Sequence, residues 1–402
     1  MKELNLFVMA PFVQKSGPNA VDTWDENHMY LEVRKSLSEL GAMEDIILHG
    51  TAQAFGADVA LLISESFDIM SDLATPVNLL GRAGTVGAVQ RTLYIALRHL
   101  QHPVDIIIEE DCEVPAVLNR YSSVYLSDPN LKQTAAAGVT RWLESANHTL
   151  WASAGAGMLN EFNVSSSEML ALSGLQSYTI MNQSLVQYVK QDLAFVPVLD
   201  TVSILSKDSD PTLEVFGILA RMQPNSSAAP MTTVHATFAD GSPAVQSVRQ
   251  AGGGGRAVTC AFAPSLTYFH KAIPPMPTQR GATDENFNHM CPKDFDLDAK
   301  VIVAIGVAGL PPPPTLASAP GLPAASHGLI ETGVVTAPGK GTVIPIVDWT
   351  GAESTASVTI TLSRPIAFTA TTLASGGAVT VAADKMSFVV AELKIADAII
   401  LR

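Results

Sequence analysis

From Val59 onward, short apolar runs alternate with longer amphipathic stretches, the pattern of a parallel sheet whose strands are joined by covering helices. Asp58–Ser64 (DVALLIS), Val104–Ile108, Ser123–Leu126 and His148–Ala152 read as buried strands. Between the first two, a helix over Val86–Leu100 places Val89, Leu93, Ala96, Leu97 and Leu100 on one side at i, i+3, i+4 spacing. A short helix at Pro115–Arg120 and a longer one at Lys132–Ser145 supply the next two connections. Parallel strands linked by right-handed crossovers define a doubly wound, flavodoxin-like α/β sheet. Residues 160–230 carry a weaker pattern of loops and additional strands, among them Ala194–Leu199 and Ser203–Leu205.

Ala236–Val245 reads as strand, turn, strand, because Asp240-Gly241 and Ser242-Pro243 are turn formers. The run Gly252–Gly255 invites a phosphate-loop reading, but no Lys-Ser or Lys-Thr follows, and the setting is a hairpin, so a flexible hairpin turn is expected. Between Pro311 and Ala325 the composition collapses to Pro, Ala, Leu, Ser and Gly, which favours an extended linker or strap and a domain boundary. Thr342–Trp349, Ala356–Leu362, Ala367–Leu373, Met386–Leu393 and Ala398–Leu401 are short runs separated by turn signals, the spacing of a small antiparallel β-sandwich. Four segments result: 1–55, an α/β domain over 56–272, a connecting segment and Pro-rich linker over 273–325, and the sandwich over 326–402.

Composition removes several function classes. With 402 residues the chain can bury more than one core, and 47% hydrophobic against 15% charged residues is a globular balance. A net charge of −14 repels a phosphate backbone, so no nucleic-acid partner is expected. No apolar run is long enough to span a bilayer, so no membrane partner is expected either. Leu4–Val13 is short, contains Pro11 and lacks a clear cleavage site; it reads as a strand, not a signal peptide, and a cytoplasmic location follows. The scattered Cys112, Cys260 and Cys291 form no CxxC pair and read as buried thiols. Without a signal peptide, the sequons at Asn147, Asn163, Asn182 and Asn225 carry little information.

Several ordered patterns carry a family resemblance. Glu39-Leu-Gly-Ala-Met-Glu-Asp45 looks like a helix leaving a catalytic barrel, and Ile63–Asp72 like the first strand and loop of the domain that follows. Val104–Asp111 and Val124–Pro129 look like its second and third strands, and Phe238–Ala244 with Gly255–Val258 like its closing hairpin. Val343–Trp349, Leu373–Gly377 and Ala396–Ala398 match a terminal sandwich in style. In this order the chain resembles the C-terminal region of family-42-like β-galactosidases, where a glutamine-amidotransferase-like trimerisation domain and a β-sandwich follow the barrel. Leu4–Pro11 resembles the final barrel strand and its loop. The resemblance therefore implies a homo-oligomer, a trimer in that family, in which the catalytic carboxylates lie on barrel strands absent from this chain.

Retaining glycoside hydrolysis needs two carboxylates about 5 Å apart. The local candidates are Glu65, Asp68 and Asp72 after the first strand and Glu109, Glu110 and Asp111 after the second, at carboxyl ends where open α/β sheets form a ligand crevice. Helix caps and solvated loop acids are the competing reading. An amidotransferase nucleophile would sit on a strained strand-to-helix turn. The turn after the third strand reads Leu126-Ser127-Asp128-Pro129, with no cysteine; Ser127 as nucleophile lacks flanking glycines, and Ser127 or Asp128 as helix N-cap is the plainer role. His28, His235, His270 and His289 are too dispersed for a metal set, so neither metal nor cofactor is expected. Trp142 and Trp151 read as core, and Trp24, in a polar loop, as a sugar-stacking candidate for a possible carbohydrate partner. The expectation is a non-catalytic assembly portion of a glycoside hydrolase; the alternatives are an active hydrolase completed by a barrel elsewhere and a small-molecule, sugar-binding protein.

Overall fold

The computed structural model of the chain describes residues 28–51, 56–74, 82–183, 197–205, 211–250, 254–272, 294–352 and 354–402. The expected strand at Leu4–Ala10, Trp24, His289 and Cys291 lie outside them. Two compact units emerge. One comprises residues 57–313 with 349–351; the other joins the described residues up to Gly56 to 314–348 and 352–402.

The first unit is built on a nine-stranded sheet. Its strands are β1 (Val59–Ile63), β2 (Val104–Ile108), β3 (Ser123–Leu126), β4 (Thr149–Ser153), β6 (Asp200–Ile204), β7 (Thr212–Val215), β9 (Thr232–Phe238), β10 (Pro243–Arg249) and β11 (Arg256–Cys260), in spatial order β2-β1-β3-β4-β11-β10-β9-β6-β7. β5 (Leu175–Gln183) and β8 (Ile218–Pro224) form a separate antiparallel ribbon. From β2 to β11 all neighbours are parallel. Beyond β11 they are antiparallel, so the sheet is mixed: the doubly wound parallel part is joined by antiparallel strands that include the hairpin read at Ala236–Val245. Direct returns of the chain from β9 to β10 and from β10 to β11 can produce only antiparallel neighbours, whereas parallel pairing needs a crossover.

Helices supply those crossovers: α2 (Glu65–Ala74), α3 (Arg82–Arg98), α4 (Glu109–Cys112), α5 (Pro115–Leu118), α6 (Gln133–Ser145) and α7 (Ser167–Leu172). α2 occupies a stretch expected as loop. Ser64 explains it: its hydroxyl accepts the Phe67 amide at 3.0 Å, capping a helix whose first turn carries Glu65 and Asp68. On one face of the sheet, Leu62, Val124, Leu126, Leu150 and Ala152 pack with Ala135, Ala136, Val139, Trp142 and Leu143 of α6. The glycines at 254–255 serve that same helix. A side chain at Gly254 would press on the Leu143 and Glu144 carbonyls at 3.2 Å, so close approach, more than turn flexibility, requires glycine there.

On the other face lie α8 (Pro264–His270) and α9 (Leu297–Ala304). α9 falls in the segment expected to be a connection, yet its residues Ala299, Ile302 and Val303 are buried. At and beyond its last turn the local amides are few: Ile305 N–H serves both Ile302 O and Val303 O, and Ala308 N–H serves Ile305 O. The sheet caps these carbonyls: Trp151 Nε1 donates to Ile302 O (3.2 Å), Tyr125 Oη to Val303 O (2.7 Å), Arg256 Nη2 to Ile305 O (2.7 Å) and Ser123 Oγ to Gly306 O (2.8 Å). Trp142 and Trp151 are core, as their positions suggested, and each indole N–H has a carbonyl acceptor.

The second unit is a β-sandwich. One sheet runs β12 (Thr315–Ser318), β16 (Thr355–Leu362), β19 (Ser387–Leu393), β18 (Val379–Val381); the other runs β13 (Ile330–Thr332), β15 (Gly341–Asp348), β20 (Ala396–Leu401), β17 (Thr371–Leu373), with β14 (Val335–Ala337) beside β15. All pairs are antiparallel. Alternate residues fill the core: Ile344, Ile346, Ile399 and Leu401 meet Val358, Ile360, Leu362, Phe388 and Val390. Within the Pro- and Ala-rich stretch 311–325, where the two units divide at 313/314, Thr315–Ser318 form β12, an edge strand of the sandwich. The helix expected to leave a barrel is α1 (His28–His49); its Ile46 packs with Val343, Ala398 and Ile400 of the sandwich, and Asp45 takes both guanidinium nitrogens of Arg402 at 2.9 Å.

His99, just after α3, is 1% exposed and ringed by Phe295, Trp349 and Tyr268, the last bonding Nδ1 at 2.7 Å. Burial, with the nearby cations of Lys300 and Arg98, pushes its pKa down to about 3. A lowered pKa means the unfolded chain binds the proton first, so stability is complete above pH 6.5 and is lost as pH falls toward 3. At pH 4.5 the loss amounts to about 2–3 kcal/mol. His99→Phe should flatten that acid limb in urea-unfolding curves taken between pH 7 and 4.5; an unchanged slope would show that His99 is not its source.

Candidate functional site

The sheet's order reverses between β1 and β3, so the carboxyl ends of these strands and of β2 form its topological switch point. Three side chains converge there. Ser64, the first residue after β1, donates its backbone N–H to Asp128 Oδ2 at 2.7 Å and its hydroxyl to Glu109 Oε1 at 3.1 Å. Glu109, directly after β2, is 1% exposed and accepts three more hydrogen bonds: from Ser66 N (3.0 Å), Ser66 Oγ (2.9 Å) and Lys132 N (2.6 Å). Asp128, after β3, is fully buried and also accepts from Gln90 Nε2 at 2.7 Å and, weakly, from Ser127 Oγ at 3.4 Å. Burial outweighs these donors and pushes the Asp128 carboxyl up to about 6, with the Glu109 charge acting in the same direction.

The sequence candidates thus separate. Glu109, Ser127 and Asp128 are brought together, all buried. Glu65 and Asp68 are exposed on the first turn of α2, where acidic groups complement the helix dipole. Asp111 accepts Ile108 N at 3.1 Å, and Glu110 pairs with Lys132 at 3.5 Å. Sequence reasoning did not find Ser64, Ser66, Gln90 or the Lys132 amide. Ser64 alone had a signal, a serine before an acidic first helical turn; the other contacts join positions 23 to 43 residues apart and leave no local trace.

Ser127 does not have a left-handed backbone. After β4, Ala154 does, with φ 58°, succeeded by Gly155 at 85° and Gly157 at 68°. Ala154 offers no nucleophilic atom. The Gly155 amide meets the Tyr178 hydroxyl, which donates onward to Cys260 O at 3.2 Å, so a side chain from β5 covers this turn. Cys112 and Cys260 are buried, free thiols; burial and the acids of α4 push Cys112 up to about 12, far from a reactive thiolate. His235 is engaged with Ser247 Oγ at 2.8 Å and His270 stacks on Phe216. Among the described residues no three His, Cys, Asp or Glu side chains gather as a metal set.

No family model matches the sequence, and no curated protein does. Solved structures share its fold. A GH42 β-galactosidase from G. stearothermophilus superimposes with a TM-score of 0.55 at 14% identity, over 94% of this chain and 44% of that one. The fold is shared with part of a GH42 β-galactosidase. The β-galactosidase of Bacillus circulans sp. alkalophilus gives 0.55 at 14%, over 97% of this chain and 47% of its own, and α-L-fucosidase isoenzyme 2 of Paenibacillus thiaminolyticus gives 0.52 at 15%, over 93% and 52%. The chain spans about half the length of the structures it matches, as the resemblance to one region of such proteins requires.

Two outcomes test the carboxylate pair. In Glu109→Gln, either placement of the amide nitrogen faces a backbone N–H, of Ser66 or of Lys132, and should destabilise the unit by about 2–4 kcal/mol in a denaturant titration. Asp128→Asn should be tolerated, because the Gln90 amide can turn over to accept from it while Ser64 N keeps its oxygen. The raised Asp128 pKa contributes stability that is complete below pH 3.8 and is lost as pH rises through about 6. Asn at 128 should remove that decline between pH 4 and 7; a variant that still loses stability over this interval would place its cause elsewhere.

Proposed function

We propose that this chain is a non-catalytic, self-associating portion of a glycoside-hydrolase-like protein, with an amidotransferase-related scaffold as its α/β unit. The closure of the strand ends carries this reading: Glu109 accepts four internal hydrogen bonds, and Asp128 accepts from Ser64, Gln90 and Ser127. Glu109, so engaged, is a brace between strands with its acceptor sites filled, and Asp128 is a buried tie between β3, β1 and α3. The order β2-β1-β3-β4-β11 supports a flavodoxin-like assignment, since it reproduces the 2-1-3-4-5 order of that doubly wound class. Alanine at the left-handed position after β4 supports a scaffold without amidotransferase chemistry. The sugar-processing context comes from the β-galactosidase and α-L-fucosidase titles of the structural neighbours. A second reading, a hydrolase completed by another chain or segment, is favoured by one observation: the match leaves more than half of the β-galactosidase chains uncovered.

Purified chain incubated with nitrophenyl β-galactoside and nitrophenyl α-L-fucoside should show no turnover above buffer, and light scattering should give a mass above that of one chain. Turnover abolished by Asp128→Asn under conditions where that variant remains folded would overturn the non-catalytic assignment.

A further inference from the structure

We infer that the face of the sheet at β10 and β11 binds a tetrahedral oxyanion, the phosphate or sulfate group of a small ester, on Arg249, Arg256 and His235. This site is separate from the strand-end acids and does not depend on the self-association proposed above. β10 and β11 pair antiparallel with Arg249 directly opposite Arg256. Residues directly opposite in such a pair share a face, and like charges placed there repel. Ser247, two residues before Arg249, lies on that face as well, opposite Val258. Its hydroxyl meets His235 Nε2 at 2.8 Å, which brings the β9 imidazole to the same side.

Among the described residues no carboxylate answers these charges. Other cations of the unit are answered: Arg221 meets Asp200 at 2.8 Å and Asp240 at 3.2 Å, Lys132 meets Glu113 at 2.8 Å, and Lys271 meets Asp296 at 2.6 Å. The chain has 38 acidic residues against 24 lysines and arginines, so acids are not scarce. Around this patch the neighbouring charges are cations instead. Burial and then Arg249 lower the Arg256 pKa, with the Tyr125 hydroxyl opposing, and burial and then Arg256 lower that of His235. The fold accounts for Arg256, whose guanidinium bonds Ile305 O at 2.7 Å just beyond α9, where a helix end favours a cation. It does not account for Arg249. That residue is exposed, and its guanidinium makes no hydrogen bond or ion pair with any described residue. A cation is thus set against a cation with its donors left open.

The donor set selects the ligand. One guanidinium presents a fork that a single carboxylate fills. Two guanidiniums on residues whose Cα atoms are about 4.5–5.5 Å apart, with the His235–Ser247 pair beside them, offer more donors than a carboxylate can accept. The oxygens of a phosphate or sulfate match that number and spread. The net charge of −14 repels extended polyanions, so a single oxyanion group on a small molecule fits this patch and a nucleic acid does not.

Titration of the full chain with inorganic phosphate, sulfate and acetate at constant ionic strength, read by calorimetry and by melting temperature, tests the site. Phosphate and sulfate should bind with a roughly millimolar dissociation constant and raise the melting temperature as their concentration passes it, while acetate should do neither. Arg249→Gln should weaken phosphate binding roughly tenfold or more. Because Arg249 bonds to no described residue and faces another arginine, the melting temperature of that variant in chloride alone should be unchanged or higher. Tighter binding of phosphate than of sulfate would mark the ligand as a phosphate ester, and the reverse as a sulfate ester. No binding, an equal response to all three anions, or phosphate binding that survives Arg249→Gln would overturn the site.

Discussion

Glu109 is placed where three strands end, and the arrangement of those ends depends on its carboxylate. Its oxygens hold the hydroxyl of Ser64 after β1, the amide and hydroxyl of Ser66 in α2, and the Lys132 amide at the start of α6. A buried carboxylate is costly unless it is fully hydrogen-bonded, and one that is fully bonded fixes the groups around it. Asp128 repeats the device one strand over, tying β3 to β1 through Ser64 and to α3 through Gln90. Ser64 is therefore shared: its amide, its hydroxyl hydrogen and its hydroxyl oxygen serve Asp128, Glu109 and the α2 cap in turn. The acids that made this region attractive as a catalytic site are the same ones that close it.

The parallel strands and the connecting helices α3, α5 and α6 could be read from the sequence because their signal is local. β1 to β4 are four- or five-residue apolar runs, and α6 carries a 3.6-residue period that ends on Trp142 and Leu143. The sandwich strands were legible for the same reason, since alternation in β15, β16, β19 and β20 is a property of neighbouring residues. β12 was not, because Pro311–Pro314 and the small residues around it resemble a linker, and its pairing with β16 is what makes Thr315–Ser318 a strand. The ribbon of β5 and β8 pairs segments about forty residues apart, and neither half reads as a strand of the sheet.

The candidate site was legible only as a location. Strand ends and acidic residues marked the switch point correctly, while the partners of each acid are backbone amides and hydroxyls that no pattern distinguishes from their neighbours. Ser127, on the turn after β3, does not have a left-handed backbone; Ala154, after β4, does, and a backbone conformation of that kind at an alanine leaves no residue signal.

The capping of α9 has a consequence for how the chain acquires its structure. Tyr125 and Trp151 bond to carbonyls 178 and 151 residues further along, and Ser123 to one 183 residues further. Contacts of such sequence separation form late, because a long loop must be closed before they contribute. During synthesis the strands bearing these groups leave the ribosome well before their acceptors exist. Until residue 306 has emerged, the α8–α9 face of the sheet carries donors with nothing but water to bond, and a nascent chain halted between Cys260 and that point holds all nine strands with this face incompletely covered.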